Sequence, residues 1–158
     1  MAHLPAFEYD HGLVACEQGW DDGTEHNYPT GWPYLHWYIC CGLRAYGFRE
    51  DAARISMKWL RLIAREFAQT GAIRERHNVV HPSVPLPGRS PPQPGFAWTN
   101  GVFAALLARI IFGIVAASNG AETKARPSFP PEWAGAEVGI CLPSYPWPDG
   151  VTLTQAAT

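Results

Sequence analysis

Little in this sequence points to an extracellular, membrane-bound or nucleic-acid-binding protein. There are four cysteines, Cys16, Cys40, Cys41 and Cys141, none at CxxC spacing; no metal pair or disulfide framework is signalled, and buried free thiols are expected. The net charge is only -2, with no basic excess to neutralise phosphates, which argues against nucleic acid and is compatible with a neutral ligand. Met1–Asp10 lacks a basic stretch followed by an apolar run, so no secretory signal is read and a cytoplasmic location is expected. The stretch most like a membrane span, Val102–Ala117, falls short of the roughly 20 residues a bilayer requires and is interrupted by Arg109, so it reads as buried helix with no membrane role.

What is present is a chain of 158 residues, enough for a single region with a sizeable core. Residues 1 to 31 show no sustained period and predict loop and short extended structure. Helix is expected from Pro33, which suits a first helical turn because its missing N–H would have had no partner there. Apolar residues between Trp32 and Tyr46 are dense enough to predict burial on most sides, with Gly47 as the stop. A second helix, about Glu50–Thr70, is amphipathic: Ile55, Trp59, Ile63 and Phe67 recur every four residues, and Arg54, Lys58, Arg61 and Arg65 form the opposite stripe, read as a solvated outer face. Glu50 and Asp51 suit its dipole and Gly71 closes it. A buried helix followed by an amphipathic one is the inner-outer unit of an α/α barrel. A third helix is expected over Thr99–Ala117, capped by Thr99 or Asn100 and ended at Asn119-Gly120. Gly71–Pro94 is a proline-rich loop of the length that often carries function. Beyond it, Pro127–Asp149 resists assignment, with short strands expected near Val138–Leu142 and Val151–Thr154.

Two blocks each lead into an apolar helical run. Glu25–Trp32 reads EHNYPTGW and Gly95–Val102 reads GFAWTNGV; between them Thr70-Gly71 is followed by Glu75–Val79, ERHNV. In this order they resemble three blocks of trehalase-like glycoside hydrolases, QWDYPNGW, GFGWTNGV, and a Thr-Gly followed by EKYDV. The first keeps Tyr28, Pro29, Gly31 and Trp32; the last differs only at Ala97. The resemblance covers about Glu25 to Phe112 and implies an all-α fold: the carboxyl-terminal helices of a partial (α/α)6 barrel, with long loops and a short irregular or β tail.

The resemblance implies an inverting glycosidase acting on an α-glucoside such as trehalose, with Glu75 as the general base that deprotonates the attacking water. An ionised carboxylate suits that step, while a carboxylic acid partner protonates the departing oxygen. Arg74, Arg76 and His77 flank Glu75, so a surface charge cluster is the alternative reading. Tyr28, Trp32, Phe96 and Trp98 are expected to stack on sugar rings, although each suits core packing as well. His26 and Asn27 replace the family's tryptophan and aspartate and retain hydrogen-bonding capacity. Arg89 stands where the family has a substrate-holding glutamate, and a cation there suits a carboxylate-bearing sugar, as in glucosylglycerate-type hydrolases; exposure on a divergent loop is the alternative. The family's acid aspartate lies far upstream of the first block, and no motif supports Asp10, Asp21 or Asp22 in that role. The chain therefore reads as the carboxyl-terminal portion of a longer hydrolase, completed by an amino-terminal partner chain, or as a non-catalytic carbohydrate-binding module. No cofactor is called for.

Overall fold

The computed structural model describes residues 2–19, 24–88, 90–116, 123–125, 127–129, 133, 137–140 and 151–154. Two long helices form the centre, α2 (Pro33–Ala45) and α3 (Arg49–Thr70). Pro33 occupies the first turn of α2, and the short Tyr46–Phe48 connection folds α3 back against it. Gly71, at φ 70°, ends α3 in the left-handed conformation that favours glycine, its N–H donating to Phe67 O at 2.8 Å. A third helix, α4 (Ala97–Leu106), packs on both and continues into a π-helical turn, Leu107–Ile111.

Most of the predicted face of α3 is buried: Ile55, Trp59 and Ile63, joined by Ala52, belong to the core with Leu13, Val14, Cys40, Val79 and Leu106, whereas Phe67, at the end of the same stripe, is 52% exposed. Part of its basic stripe has more than a solvating role. Arg54 and Lys58 hold the Glu8 carboxylate at 2.7 and 2.8 Å, fastening the amino-terminal segment to the helix. That segment forms α1 (Leu4–Phe7) and the small antiparallel pair β1 (Glu8–Tyr9) and β2 (Gly12–Leu13).

Two expectations need correction. α2 is not buried on most sides: Pro33, His36 and Cys40 are enclosed, while Tyr38 is 66% exposed. Its contacts come from α3, α4, β2 and the π-helical turn. Nor does the third helix run from Thr99 to Ala117. It starts at Ala97 with Phe96 in the capping position, and Gly113 at φ 63° follows its end. The chain then enters β5 (Ile114–Ala116), paired with β6 (Thr123–Ala125). The apolar run concealed this change because its β-branched residues, Ile114 and Val115, suit a strand as well as a buried helix. The tail strands are present as β7 (Glu137–Ile140) and β8 (Val151–Thr154), antiparallel to one another. Asn119, Gly120, Leu142 and Cys141 lie outside the described residues. Of the thiols expected to be buried, Cys40 is, while Cys16 and Cys41 are half-buried, and Tyr28 N donates to Cys16 Sγ at 3.1 Å; burial pushes the Cys40 thiol up to about 12, which keeps it an inert core residue.

A buried histidine organises the junction of these parts. His36 Nδ1–H donates to Trp32 O at 2.7 Å and Nε2 accepts from Leu13 N at 2.9 Å, so the neutral ring satisfies both of its nitrogens. It stacks on Trp59 with centroids 5.1 Å apart. Gly12 is at φ 138°, and a Cβ there would lie 2.4 Å from His36 Nε2. Gly12→Ala is therefore expected to lower stability by about 2 kcal/mol, measured as a shifted urea midpoint at unchanged slope; an unshifted midpoint contradicts this packing.

Candidate active site

The proline-rich loop is closed at its base. Gly95 N donates to Ile73 O at 2.7 Å and Glu75 N to Gln93 O at 2.9 Å, with a bridge between Arg74 and Pro94. Two residues further on, β4 (His77–Asn78) pairs antiparallel with β3 (Thr30–Gly31). Gly31 is needed there, because a Cβ would lie 2.3 Å from Val79 Cγ1. Thr99, in the first turn of α4, donates from Oγ1 to Glu75 O at 3.2 Å rather than capping its own helix. These contacts bring the three sequence blocks together: the first through β3, the middle through β4, the last through the start of α4.

Glu75 stands where they meet. Its side chain retains 16% exposure, and Oε2 accepts from Arg76 Nη1 at 2.6 Å. Arg76 is 1% exposed; its Nη2 donates to Glu25 Oε1 at 2.9 Å and to Ser90 O at 2.6 Å. Ser90 Oγ–H donates to the same Glu25 oxygen at 2.6 Å. That bond, with the Arg76 charge, holds the Glu25 carboxyl below its ordinary range against the opposing effect of burial. One guanidinium thus joins two carboxylates and the proline-rich loop, a geometry suited to arginine's planar fork.

An aromatic wall adjoins this cluster. The Arg76 guanidinium lies 5.6 Å from the Trp32 ring centroid, and Trp32 Nε1–H donates to Glu25 O at 3.1 Å. His26 stacks on Trp32 at 4.7 Å with planes 11° apart. Tyr34 bridges Trp32 and Trp98, with centroids 5.9 and 5.4 Å away. Trp98 is 53% exposed. Trp32 itself is 7% exposed, with His26 and the Arg76 guanidinium against its ring, so it supports the wall rather than offering the expected face. The accessible rings beside the carboxylate are those of Trp98 and half-buried Tyr34.

The remaining expected residues sit differently. Tyr28 packs edge-on against Tyr9 at 5.6 Å, towards the amino-terminal segment. Asn27 is buried, and its carbonyl accepts from Thr30 N at 2.9 Å, shaping the turn that enters β3. Phe96 is half-buried at the start of α4. Arg89, Asp21 and Asp22 lie outside the described residues. Glu25, Arg76, Tyr34 and Thr99 are the residues that sequence reasoning did not place in the site. Glu25 and Arg76 stand inside the quoted blocks, but their pairing depends on a contact across 51 positions, which no local pattern displays.

Helices whose connecting loops bring a carboxylate beside stacked aromatic rings define a mostly helical protein with its candidate site on the loops. The chain belongs to the trehalase family: the family model described as Trehalase matches residues 5–111. The match extends the expected region towards the amino terminus, taking in the segment held by Arg54 and Lys58. A cytosolic neutral trehalase of Emericella nidulans is 28% identical over 119 residues, which is 63% of this chain and 16% of that protein. The solved structure of a neutral trehalase from Saccharomyces cerevisiae superposes with a TM-score of 0.54 at 27% identity, over 66% of this chain and 18% of that one. The chain thus corresponds to less than a fifth of the length of either relative. It is mostly helical with a few short strands, and matches a part of the trehalase structure.

Proposed function

We propose that this chain supplies the base-bearing part of a trehalase-type site, in which Glu75 deprotonates the water that attacks an α-glucoside such as trehalose with inversion. The observation that carries the reading is the convergence of Glu75 with Trp32, Tyr34 and Trp98 through Arg76 and Thr99. A partly exposed carboxylate can reach a water, and its fixed position favours proton transfer in one geometry. The rings offer faces on which the C–H surface of a sugar stacks. Family membership supports a carbohydrate substrate.

Single-chain hydrolysis is not expected, because inversion requires a second carboxyl group, in its acid form, to protonate the leaving oxygen. Within this reading the chain is one region, residues 1–158, completed by an amino-terminal partner bearing that acid. A cytosolic site of action is supported by the cytosolic relative, and no helix among the described residues is long and apolar enough to cross a membrane. A carboxylate-bearing sugar, of the glucosylglycerate type, is the second substrate class, motivated by Arg89 in the loop next to Ser90.

The wall is tested separately from the chemistry. Trp98→Ala is expected to weaken trehalose binding by about tenfold, corresponding to the loss of a stacking contact of about 1.4 kcal/mol. Calorimetric titration of a complete protein containing this segment measures it. Unchanged affinity would exclude Trp98 from the sugar wall.

A further inference from the structure

We propose that the cavity between the carboxyl-terminal half of α3 and the proline-rich loop is a binding site for a phosphate group, distinct from the sugar wall. The cavity encloses about 770 Å³ and is lined by Arg65, Glu66, Arg74, Arg76 and His77, with Pro82, Pro85, Pro91 and Pro92 on the loop side. Glu75, Trp32, Tyr34 and Trp98 are not among its lining residues. Arg76 stands between the two spaces, with Nη1 on Glu75 and its side chain also lining the cavity.

The charge of the lining is unbalanced, with three arginines against one glutamate. Arg74 is paired with Glu66 at 3.0 Å, and Arg76 with Glu25 and Glu75. Arg65, an exposed residue on the rim of the cavity, has only uncharged partners: Nε donates to Arg61 O at 3.3 Å and Nη2 meets His11 Nδ1 at 3.0 Å. Burial, reinforced by Arg65 itself, lowers the pKa of His11, which favours the neutral ring able to accept that bond. Arg65 therefore has no counter-charge among the described residues.

A buried donor points to the same ligand class: Arg76 Nε has no hydrogen-bond partner, on a side chain 1% exposed. His77 Nε2 faces Glu66 Oε2 at 2.9 Å. A buried donor without an acceptor is costly, and an oxyanion that reached the Arg76 N–H would remove that cost. Arginine forks on separate elements match an acceptor with several oxygens, whereas a cation would meet only repulsion from Arg65. The prolines contribute a wall without backbone N–H groups, so the polar lining of the cavity comes mainly from the helix and β4 sides.

The test is calorimetric titration of the full chain with inorganic phosphate and with glucose 6-phosphate at constant ionic strength. Saturable binding with Kd of about 1 mM or tighter is expected, weakened about fivefold or more by Arg65→Gln and within about twofold of the parent in Arg49→Gln, which alters an exposed cation at the far end of α3. Circular dichroism confirms that both variants retain the helical content of the parent. Tighter binding of glucose 6-phosphate assigns the remaining volume to the sugar of a phosphate ester; equal binding assigns the site to free phosphate, and either result upholds it. Absence of saturable binding, or affinity indifferent to Arg65, overturns it.

Discussion

Glu75→Gln, in a complete enzyme containing this segment, lowers kcat on trehalose by about a thousandfold while KM stays within about threefold of the parent value. The amide keeps the shape of the carboxylate, and the bond from Thr99 Oγ1 to the backbone carbonyl of residue 75 is untouched, but the amide cannot take a proton from water. In the proposed site, binding rests on the accessible rings of Tyr34 and Trp98 and is expected to be left in place. Glu75→Asp retains the base but withdraws it by one methylene from the position fixed by Arg76 Nη1 at 2.6 Å, so an intermediate kcat is expected. Undiminished turnover in the Gln variant would return Glu75 to the role of a surface charge held by Arg76.

Stability falls by roughly 3 kcal/mol as pH is lowered from about 6.5 to about 4, through His36. Burial lowers its pKa from the ordinary 6.5 to about 4. Between these values the unfolded chain binds a proton that the folded chain does not, so acid favours unfolding. The contribution is complete above the unfolded pKa and lost as pH approaches the folded one. His11, also lowered by burial, acts in the same direction. The carboxylates of Glu8, Glu25 and Glu66, held low by their partners, add their losses at more acidic pH. Urea unfolding across this range measures the slope, and His36→Gln flattens it. A flat profile in the parent chain would contradict the neutral, doubly bonded ring between Leu13 and Trp32.

The helices α2 and α3 were legible because their signals are local: Pro33 at one start, Gly71 at one end, and apolar residues at four-residue spacing between. The end of α4 was not, since an unbroken apolar run carries no period and Gly113 is the only punctuation before β5. Glu75 and Trp98 could be singled out from the family-like blocks, which fix residue type and order. The clamp around them could not. Arg76 looks like one of several surface cations in sequence, and only the pairing of β3 with β4 buries it between Glu25 and Glu75. Arg65 remains exposed, as the stripe predicts, and only the fold shows that it borders the cavity beside the proline-rich loop. Tyr38 on α2 is 66% exposed where the dense apolar run predicted burial, because density without a period does not say which side of a helix is enclosed.

The central claim, that this segment brings the general base to a trehalase-type site, is tested most directly by glucose release from trehalose and from glucosylglycerate. The purified chain is assayed alone and mixed with an amino-terminal trehalase segment that carries the remaining helices and the acid. The expected result is no release from the chain alone, release on mixing, and loss of that release when the chain carries Glu75→Gln. Equal release from mixtures made with the parent chain and with the Gln variant would contradict it.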